Sequence, residues 1–348
     1  MKERITYIDN LRAVGILLVV FVHSLGYTRN LLGVPDPILF VVENWLHTFL
    51  MPFFVFINGY SFARFYGNES QSSPRLRNYL KRLFQIYLLF GTSIVVVKVL
   101  FASFTVDKIG LSEILQNIFF PDTIMWYIWF LMLMTLVSLV KVYYTSQSVS
   151  QSVSQWLWRS FLVSLFVLAV AFGGPLHLSH LPLAIQHLTS LPFYYVFGYW
   201  ISKRKNLGKI QKMNRVFVCC LTVAAGLYLL YYWRNQALFT QDLVVHTFLR
   251  YGNGMVMSLL LVRLIAFFEM RRFGALAKIG ENSLYIYLVH TYFLAIIVVV
   301  MRKMALNLSP FVSLIILFTL ALLLSLLATI VVKKIPLLDK IFTGRLIK

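Results

Sequence analysis

The sequence has little charge and few acidic residues. Only 13% of its 348 residues are charged, about half the share of roughly 25% that is usual in soluble domains. Asp and Glu number 12, against 32 Lys and Arg. No stretch is both long and polar enough to form a separate soluble domain. This composition excludes an ordinary soluble enzyme and predicts a single membrane domain over residues 1–348, which ends in a short basic cytoplasmic tail at 333–348.

Cysteine is scarce as well. The two cysteines, Cys219 and Cys220, are adjacent in the sequence. They therefore offer neither a disulfide framework nor the ligand spacing of a metal site. We expect no bound metal, and we expect both side chains to pack as small hydrophobic groups within a membrane span.

What the sequence does contain is a series of apolar runs, each close to the twenty residues needed to cross a bilayer. Lipid cannot satisfy an open backbone, so each run is predicted to be a helix. The fold class is therefore predicted to be an all-α integral membrane protein, a single bundle of about ten transmembrane helices. The spans are predicted near residues 11–28, 45–63, 83–101, 124–143, 157–174, 189–202, 216–233, 245–267, 283–301 and 310–332.

The distribution of positive charge predicts the topology. With both termini in the cytoplasm, the cytoplasmic segments hold 25 of the 32 Lys and Arg and the opposite segments hold 5, when residues near a span end are counted with the adjoining loop. Lys98 and Arg250 lie within spans. This asymmetry is typical of multi-pass membrane proteins. It accounts for the net charge of +20 without a nucleic-acid partner, and it predicts a basic surface that faces anionic lipids or phosphates.

Two ionisable residues stand out in the first predicted span. Arg12 and His23 are eleven residues apart, close to three helical turns, so they share one face about 16 Å apart along the axis. Asp9 lies three residues before Arg12 and near that face. An ionisable residue in a span usually faces a cavity or a partner, and a histidine can exchange a proton near neutral pH. Alternatively, Arg12 is a topology anchor and His23 a hydrogen-bonded packing residue.

Three further features allow two interpretations each. Ser283, Tyr287 and His290 share one predicted helical face, and they either form part of a site or pack across neighbouring helices. Arg250 either binds a polar acceptor or extends outward to the membrane surface. Trp129 is either an anchor at the membrane interface or a stacking surface for a sugar.

Four segments, taken in order, resemble motifs of the acyltransferase family 3 membrane proteins. They are Asp9–Arg12 with His23-Ser24, Met51–Tyr60, Tyr127–Leu131 and Ile279–His290. The opening is most similar to the branch that includes fucose 4-O-acetylase-like proteins.

The chain departs from the family pattern at three points. Asn58 stands where the family usually has Ser, and Leu50 where it often has His, although His47 lies one turn earlier. In Tyr79–Arg82 only the second Arg of a family Arg-x-x-Arg pair is present.

The resemblance implies an O-acetyltransferase in a bacterial-type cytoplasmic (inner) membrane. The donor would be cytoplasmic acetyl-CoA, a co-substrate rather than a bound cofactor. The acceptor would be a hydroxyl of a surface polysaccharide or O-antigen sugar, or of its lipid-linked precursor. Membrane lipids and polysaccharide-assembly proteins are the further partners that it implies. His23 and Arg12 would be catalytic. The donor-binding residues would be Arg75, Arg77, Lys81 and Arg82, and the supporting or acceptor-binding residues Asp9, Ser283, Tyr287, His290, Trp129 and Arg250.

Two other functions suit polar residues within membrane spans. One is a glycan exporter or flippase without acyl chemistry, and the other is a scaffold of a polysaccharide-assembly complex with a degenerate site. Loss of acetyl groups with unchanged glycan export distinguishes the transferase from the exporter.

Overall fold

The fold is described from a computed structural model, which describes residues 6–32, 36–66, 72–100, 121, 124–146, 183–204, 207–235, 244–269, 274–306 and 308–345. Within these ranges every regular element is a helix, as the composition predicted. The helices are α1 (Thr6–Leu32), α2 (Pro37–Tyr66), α3 (Ser72–Leu100), α4 (Trp126–Ser146), α5 (Leu183–Lys203), α6 (Leu207–Gln211), α7 (Arg215–Arg234), α8 (Val244–Glu269), α9 (Gly274–Glu281), α10 (Ser283–Lys303), α11 (Pro310–Lys334) and α12 (Pro336–Phe342).

Seven of these helices are long and apolar enough to cross a membrane, namely α1, α2, α3, α7, α8, α10 and α11. The chain is therefore a multi-pass membrane protein. Nine predicted spans coincide with described helices, whereas the span predicted at 157–174 lies outside the described residues. The total of about ten spans and the cytoplasmic position of both termini stay predictions.

The bundle has two ends that matter for function. We call the end at which α1 begins the basic end, and the end at which α1 finishes the distal end. Helix α3 begins at Ser72, eleven residues before its predicted span, because the helix continues beyond the apolar stretch that a hydropathy pattern detects. Arg75, Arg77 and Lys81 therefore lie on a helix at the basic end.

Helix α1 lies at the centre of the described bundle, where it packs against α2, α8, α9, α10 and α11. Ile16 and Val20 on α1 are fully buried, as expected for a helix that is apolar around most of its circumference. At the basic end, α9 approaches α1 so closely that a Cβ at Gly280 would overlap the Asp9 carbonyl. Polar groups on α1 are consequently held against other helices rather than against lipid.

Helices α2 and α5 cross at two glycines. A Cβ at Gly59 would overlap the carbonyl oxygen of Tyr195, and one at Gly198 would overlap the carbonyl oxygen of Phe56. Small residues of this kind let membrane helices approach closely. This crossing brings Tyr195 next to the part of α2 that carries polar side chains.

Helix α7 exposes much of its apolar surface. Leu227 and Leu230 are 61% and 67% exposed, a face that suits contact with lipid. Cys219 and Cys220 are both free and exposed on this helix. Both lie within the helix that covers the predicted span 216–233, and their packing as small hydrophobic groups stays a prediction. The hydrophobic span did not by itself reveal which of its faces is exposed.

Part of the predicted basic tail is folded. Helix α12 packs against α3 and α11, and the hydroxyl of Tyr285 donates a hydrogen bond to Asp339. The Phe342 ring lies 4.9 Å from that of Phe90 and 5.8 Å from that of Tyr285, between centroids. The C-terminal helix therefore forms part of the basic end.

Candidate functional site

A pair of histidines lies inside the bundle. Nδ1 of His23, on α1, is 2.8 Å from Nε2 of His290, on α10, and the two rings are nearly parallel with centroids 5.0 Å apart. His290 is completely buried, and His23 is half-buried. The two residues are 267 positions apart in sequence, so the pair is a product of tertiary packing.

The hydrogen-bond pattern of His290 determines which ring nitrogens carry hydrogen. Its Nδ1 lies 3.0 Å and 2.9 Å from the backbone oxygens of Ile286 and Tyr287. Carbonyl oxygens only accept, so this Nδ1 carries the hydrogen and Nε2 of the neutral ring accepts. The donor to it is then Nδ1 of His23. A neutral His23 in this arrangement keeps a free lone pair on Nε2, which is what a general base requires.

Arg12 also lies on α1, three turns nearer the basic end than His23. Its Nη1 lies 3.6 Å from Oδ1 of Asp9, and its Nη2 donates to Oγ of Ser61 at 3.3 Å. The Arg12 side chain is still 32% exposed. Asp9 and Ser61 therefore orient the guanidinium while leaving it accessible to a ligand.

Arg12 lines a cavity of about 120 Å³, which we call the Arg12 cavity. Polar and aromatic side chains dominate its wall. The other lining residues are Asn58, Ser61, Phe62, Phe65, Tyr66, Tyr79, Leu131, Thr135 and Tyr195. The cavity combines one cation with hydroxyl and amide groups, a composition that suits an anionic or carbonyl-bearing ligand.

Two tyrosines connect the Arg12 cavity with the histidine pair. Asn58 donates from Nδ2 to the hydroxyl of Tyr127, whose ring centroid is 5.6 Å from that of Tyr287. The Tyr287 ring in turn lies 6.1 Å from the ring of His290. We call Tyr127 and Tyr287 the tyrosine bridge. Arg12 and His23 are about 16 Å apart along α1. The tyrosine bridge lies between the Arg12 cavity and the histidine pair.

Helix α4 begins inside the bundle rather than at its surface. The carbonyl of Ile124, just before α4, accepts a hydrogen bond from the hydroxyl of Tyr287, and Met125 is completely buried. This internal start is what places Tyr127 beside Asn58.

The predicted donor-binding residues separate into two groups. Arg82 donates from Nε to the carbonyl of Thr343 at 3.0 Å and interacts electrostatically with Tyr66 and Tyr79 of the cavity wall. Arg75 also interacts with Tyr66. Within the described part of the chain, Arg77 and Lys81 have no such contact with the cavity wall. The side chains of Arg75, Arg77 and Lys81 are exposed, and none of the four residues lines the cavity itself.

The remaining predicted site residues are dispersed. Ser283 is the first residue of α10, about 10 Å along the axis from His290. Trp129 packs against the hydrophobic core and does not line the Arg12 cavity. Arg250 is exposed on α8 and interacts electrostatically with His47 of α2.

Sequence reasoning missed several residues of this arrangement. Asn58 and Tyr127 both lie within motif segments, but a departure from a motif and an aromatic residue beside Trp129 do not by themselves mark site residues. Ser61 and Tyr79 carry no signal that distinguishes them from other polar and aromatic residues near a span end. Within the described ranges, no group of three His, Cys, Asp or Glu could hold a metal ion.

The comparisons with known proteins give one finding. The model of a family described as an acyltransferase domain matches residues 5–330, which include α1–α10 and most of α11. Comparison with curated proteins and comparison with solved structures gave no match.

Proposed function

The chain belongs to acyltransferase family 3, and from that membership we propose that it transfers an acetyl group from acetyl-CoA to a hydroxyl of a surface glycan or its lipid-linked precursor. The proposal places the protein in a bacterial cytoplasmic membrane, with the basic end in the cytoplasm. The observation that supports it most is the His23–His290 contact, since this contact leaves Nε2 of His23 as a base in the middle of the bundle.

The proposed chemical step uses His23 Nε2 as the general base. It removes the proton from the acceptor hydroxyl while the hydroxyl oxygen attacks the thioester carbonyl carbon. The new C–O bond forms and the C–S bond breaks. The proton taken by His23 then passes to the departing sulfur, which leaves as the CoA thiol. His290 remains neutral and acts through its hydrogen bond to His23.

The proposed donor position is at the basic end. Arg12 is accessible and held by Asp9 and Ser61, which suits a charge-assisted bond to the donor. Arg75 and Arg82, near Tyr66, are the residues that we expect to meet the CoA phosphates. Because the donor phosphates and the histidine pair lie at different depths, the acetyl-bearing arm would run along α1 past the tyrosine bridge.

The test of this proposal separates the transferase from an exporter. A strain that lacks the gene is complemented with wild-type protein or with His23→Ala, and both glycan acetyl content and glycan export are measured. The proposal predicts loss of acetyl groups with unchanged export, at equal amounts of membrane-inserted protein. Normal acetylation by His23→Ala would refute the role of His23, and loss of export would favour the exporter.

A further inference from the structure

Three aromatic rings fill the space between the Arg12 cavity and the histidine pair. The Phe54 ring of α2 lies against Gly15 of α1, where an added Cβ would come within 2.7 Å of the ring. The Tyr127 ring meets the Phe54 ring edge-on, with centroids 5.9 Å apart, and the Tyr287 ring packs on the Tyr127 ring. We call Phe54, Tyr127 and Tyr287 the aromatic barrier. Because Gly15 lies one turn beyond Arg12 on α1, the barrier begins directly behind the Arg12 side chain.

The Arg12 cavity ends where the aromatic barrier begins. Helix α2 runs from the distal end to the basic end, so Asn58 is its innermost cavity residue, one turn from Phe54. Helix α4 starts inside the bundle, and its innermost cavity residue is Leu131, one turn from Tyr127. All three rings of the barrier are buried, and none of them lines the cavity. A ligand in the cavity is therefore separated from the histidine pair by packed aromatic side chains.

Two hydrogen bonds hold the barrier closed. Nδ2 of Asn58 donates to the hydroxyl of Tyr127, and it donates to the carbonyl of Phe54 at 3.0 Å. The hydroxyl of Tyr287 donates to the carbonyl of Ile124. Both hydrogens of the Asn58 amide thus have acceptors, although Asn58 also faces the cavity. A ligand carbonyl in the cavity gains one of these hydrogens only in competition with an acceptor that holds the barrier in place.

We propose that the aromatic barrier is a gate that the donor opens, an inference that rests on the proposed function. CoA carries its acyl group on a long arm, and amide carbonyls lie along that arm between the phosphates and the sulfur. One of these carbonyls takes the Asn58 hydrogen that bonds to Tyr127 in the closed arrangement. The released Tyr127 ring then turns aside, and the acetyl-bearing end passes toward His23. The gate keeps the base apart from the basic end until the arm has entered the cavity.

A gate and a donor contact have opposite effects on affinity when they are removed. The apparent affinity for a ligand falls in proportion to the fraction of protein that is in the binding-competent state. Opening the gate therefore uses part of the binding free energy of the arm, and a variant with a weaker closed state binds the arm more tightly. Loss of a side chain that contacts the donor weakens binding instead. The nucleotide part of CoA does not reach the gate, so its affinity is independent of the gate.

The experiment measures binding of two ligands that differ in the arm alone. Purified protein in lipid nanodiscs is titrated with CoA and with 3′-phospho-ADP, the nucleotide part of CoA without its arm. The variants are Tyr127→Phe and Tyr287→Phe, each of which removes one hydroxyl that closes the gate. The matched control is Tyr292→Phe, because its hydroxyl hydrogen-bonds to Oγ of Ser93 on α3 at 2.7 Å, outside the barrier.

We expect Tyr127→Phe to bind CoA about two- to tenfold more tightly than wild type, the equivalent of one hydrogen bond, with unchanged affinity for 3′-phospho-ADP. Tyr287→Phe should change CoA affinity in the same direction, which keeps the test decisive if one variant folds poorly. Tyr292→Phe should match wild type with both ligands. Unchanged or weaker CoA binding in both gate variants, or an equal gain for the two ligands, overturns the gate and leaves the proposed donor in place. If wild type binds neither ligand, the proposed donor fails, and the gate fails with it.

Discussion

The Arg12 cavity and the histidine pair share helix α1, which carries Arg12 and His23, but they differ in exposure, charge and hydrogen bonding. Arg12 is accessible, charged and held by a carboxylate and a hydroxyl. The two histidines hydrogen-bond to each other, and His290, which has no exposed surface, also donates to two backbone carbonyls. The first environment favours recognition of a charged or polar ligand from the surface. The second favours proton transfer by a neutral imidazole.

Arg12 and His23 of the opening motif thus lie in separate environments. Their spacing, about 16 Å along α1, excludes a direct contact, and the tyrosine bridge lies between them. The shared helical face therefore places the two residues on the same side of α1 at different depths. Replacing His23 is expected to change the rate of acetyl transfer, whereas replacing Arg12 is expected to change the affinity for the donor.

The largest effect is expected for His23→Ala. Removing a general base lowers the rate by about 10²–10⁴-fold, and because His23 lies away from the Arg12 cavity, CoA affinity should stay near the wild-type value. Acetyl transfer and CoA binding by the purified variant measure both. A fall in CoA affinity with an unchanged rate at saturating donor would contradict the separation of base catalysis at His23 from donor binding at Arg12.

His290→Ala comes next. It removes the acceptor that selects the Nδ1–H form of His23, so kcat should fall. The expected loss is about ten- to a hundredfold, by analogy with the loss of groups that orient metal-bound imidazoles, with little change in KM for the donor. In His290→Gln, a side-chain oxygen can accept the same hydrogen bond, so partial recovery is expected. Equal loss in both variants would indicate a packing role.

Arg12→Lys tests the proposed contact between Arg12 and the donor. Lysine keeps the charge but loses the planar fork that contacts Asp9 and Ser61 together. Loss of a charge-assisted contact worth about 1.5 kcal/mol weakens the donor by about tenfold, and the weakening should appear in CoA affinity. If Arg12 serves only as a topology anchor, the variant will be fully active, with wild-type affinity.

The smallest effects are expected for Arg82→Ala and Gly344→Ala. Together these variants distinguish donor binding from docking of α12. Arg82 bonds to Thr343 through Nε, and Gly344 adopts φ +62° against the Arg82 carbonyl, where a Cβ would overlap. Arg82→Ala is expected to weaken CoA binding about tenfold through loss of a phosphate contact. Gly344→Ala should loosen α12 but retain CoA affinity. An equal weakening in both would mean that Arg82 acts by holding α12.

The sequence by itself determined the membrane character, the helical class and the positions of most helices, because lipid requires helices and long apolar runs reveal where they lie. It also selected Arg12 and His23, since an ionisable residue is costly within a span and therefore conspicuous. Four motifs in order were enough to indicate the family that the match over residues 5–330 establishes.

Only the tertiary structure decided which of these residues meet. It joined His23 to His290 across 267 positions, started α4 inside the bundle so that Tyr127 meets Asn58, and folded α12 onto Arg82. It also turned Cys219 and Cys220 outward and packed Trp129 against the core. Helical periodicity fixes which residues of one helix share a face, but the rotation and depth of each helix relative to its neighbours depend on close packing such as the contact of Gly59 with Tyr195, and a single sequence does not display such contacts.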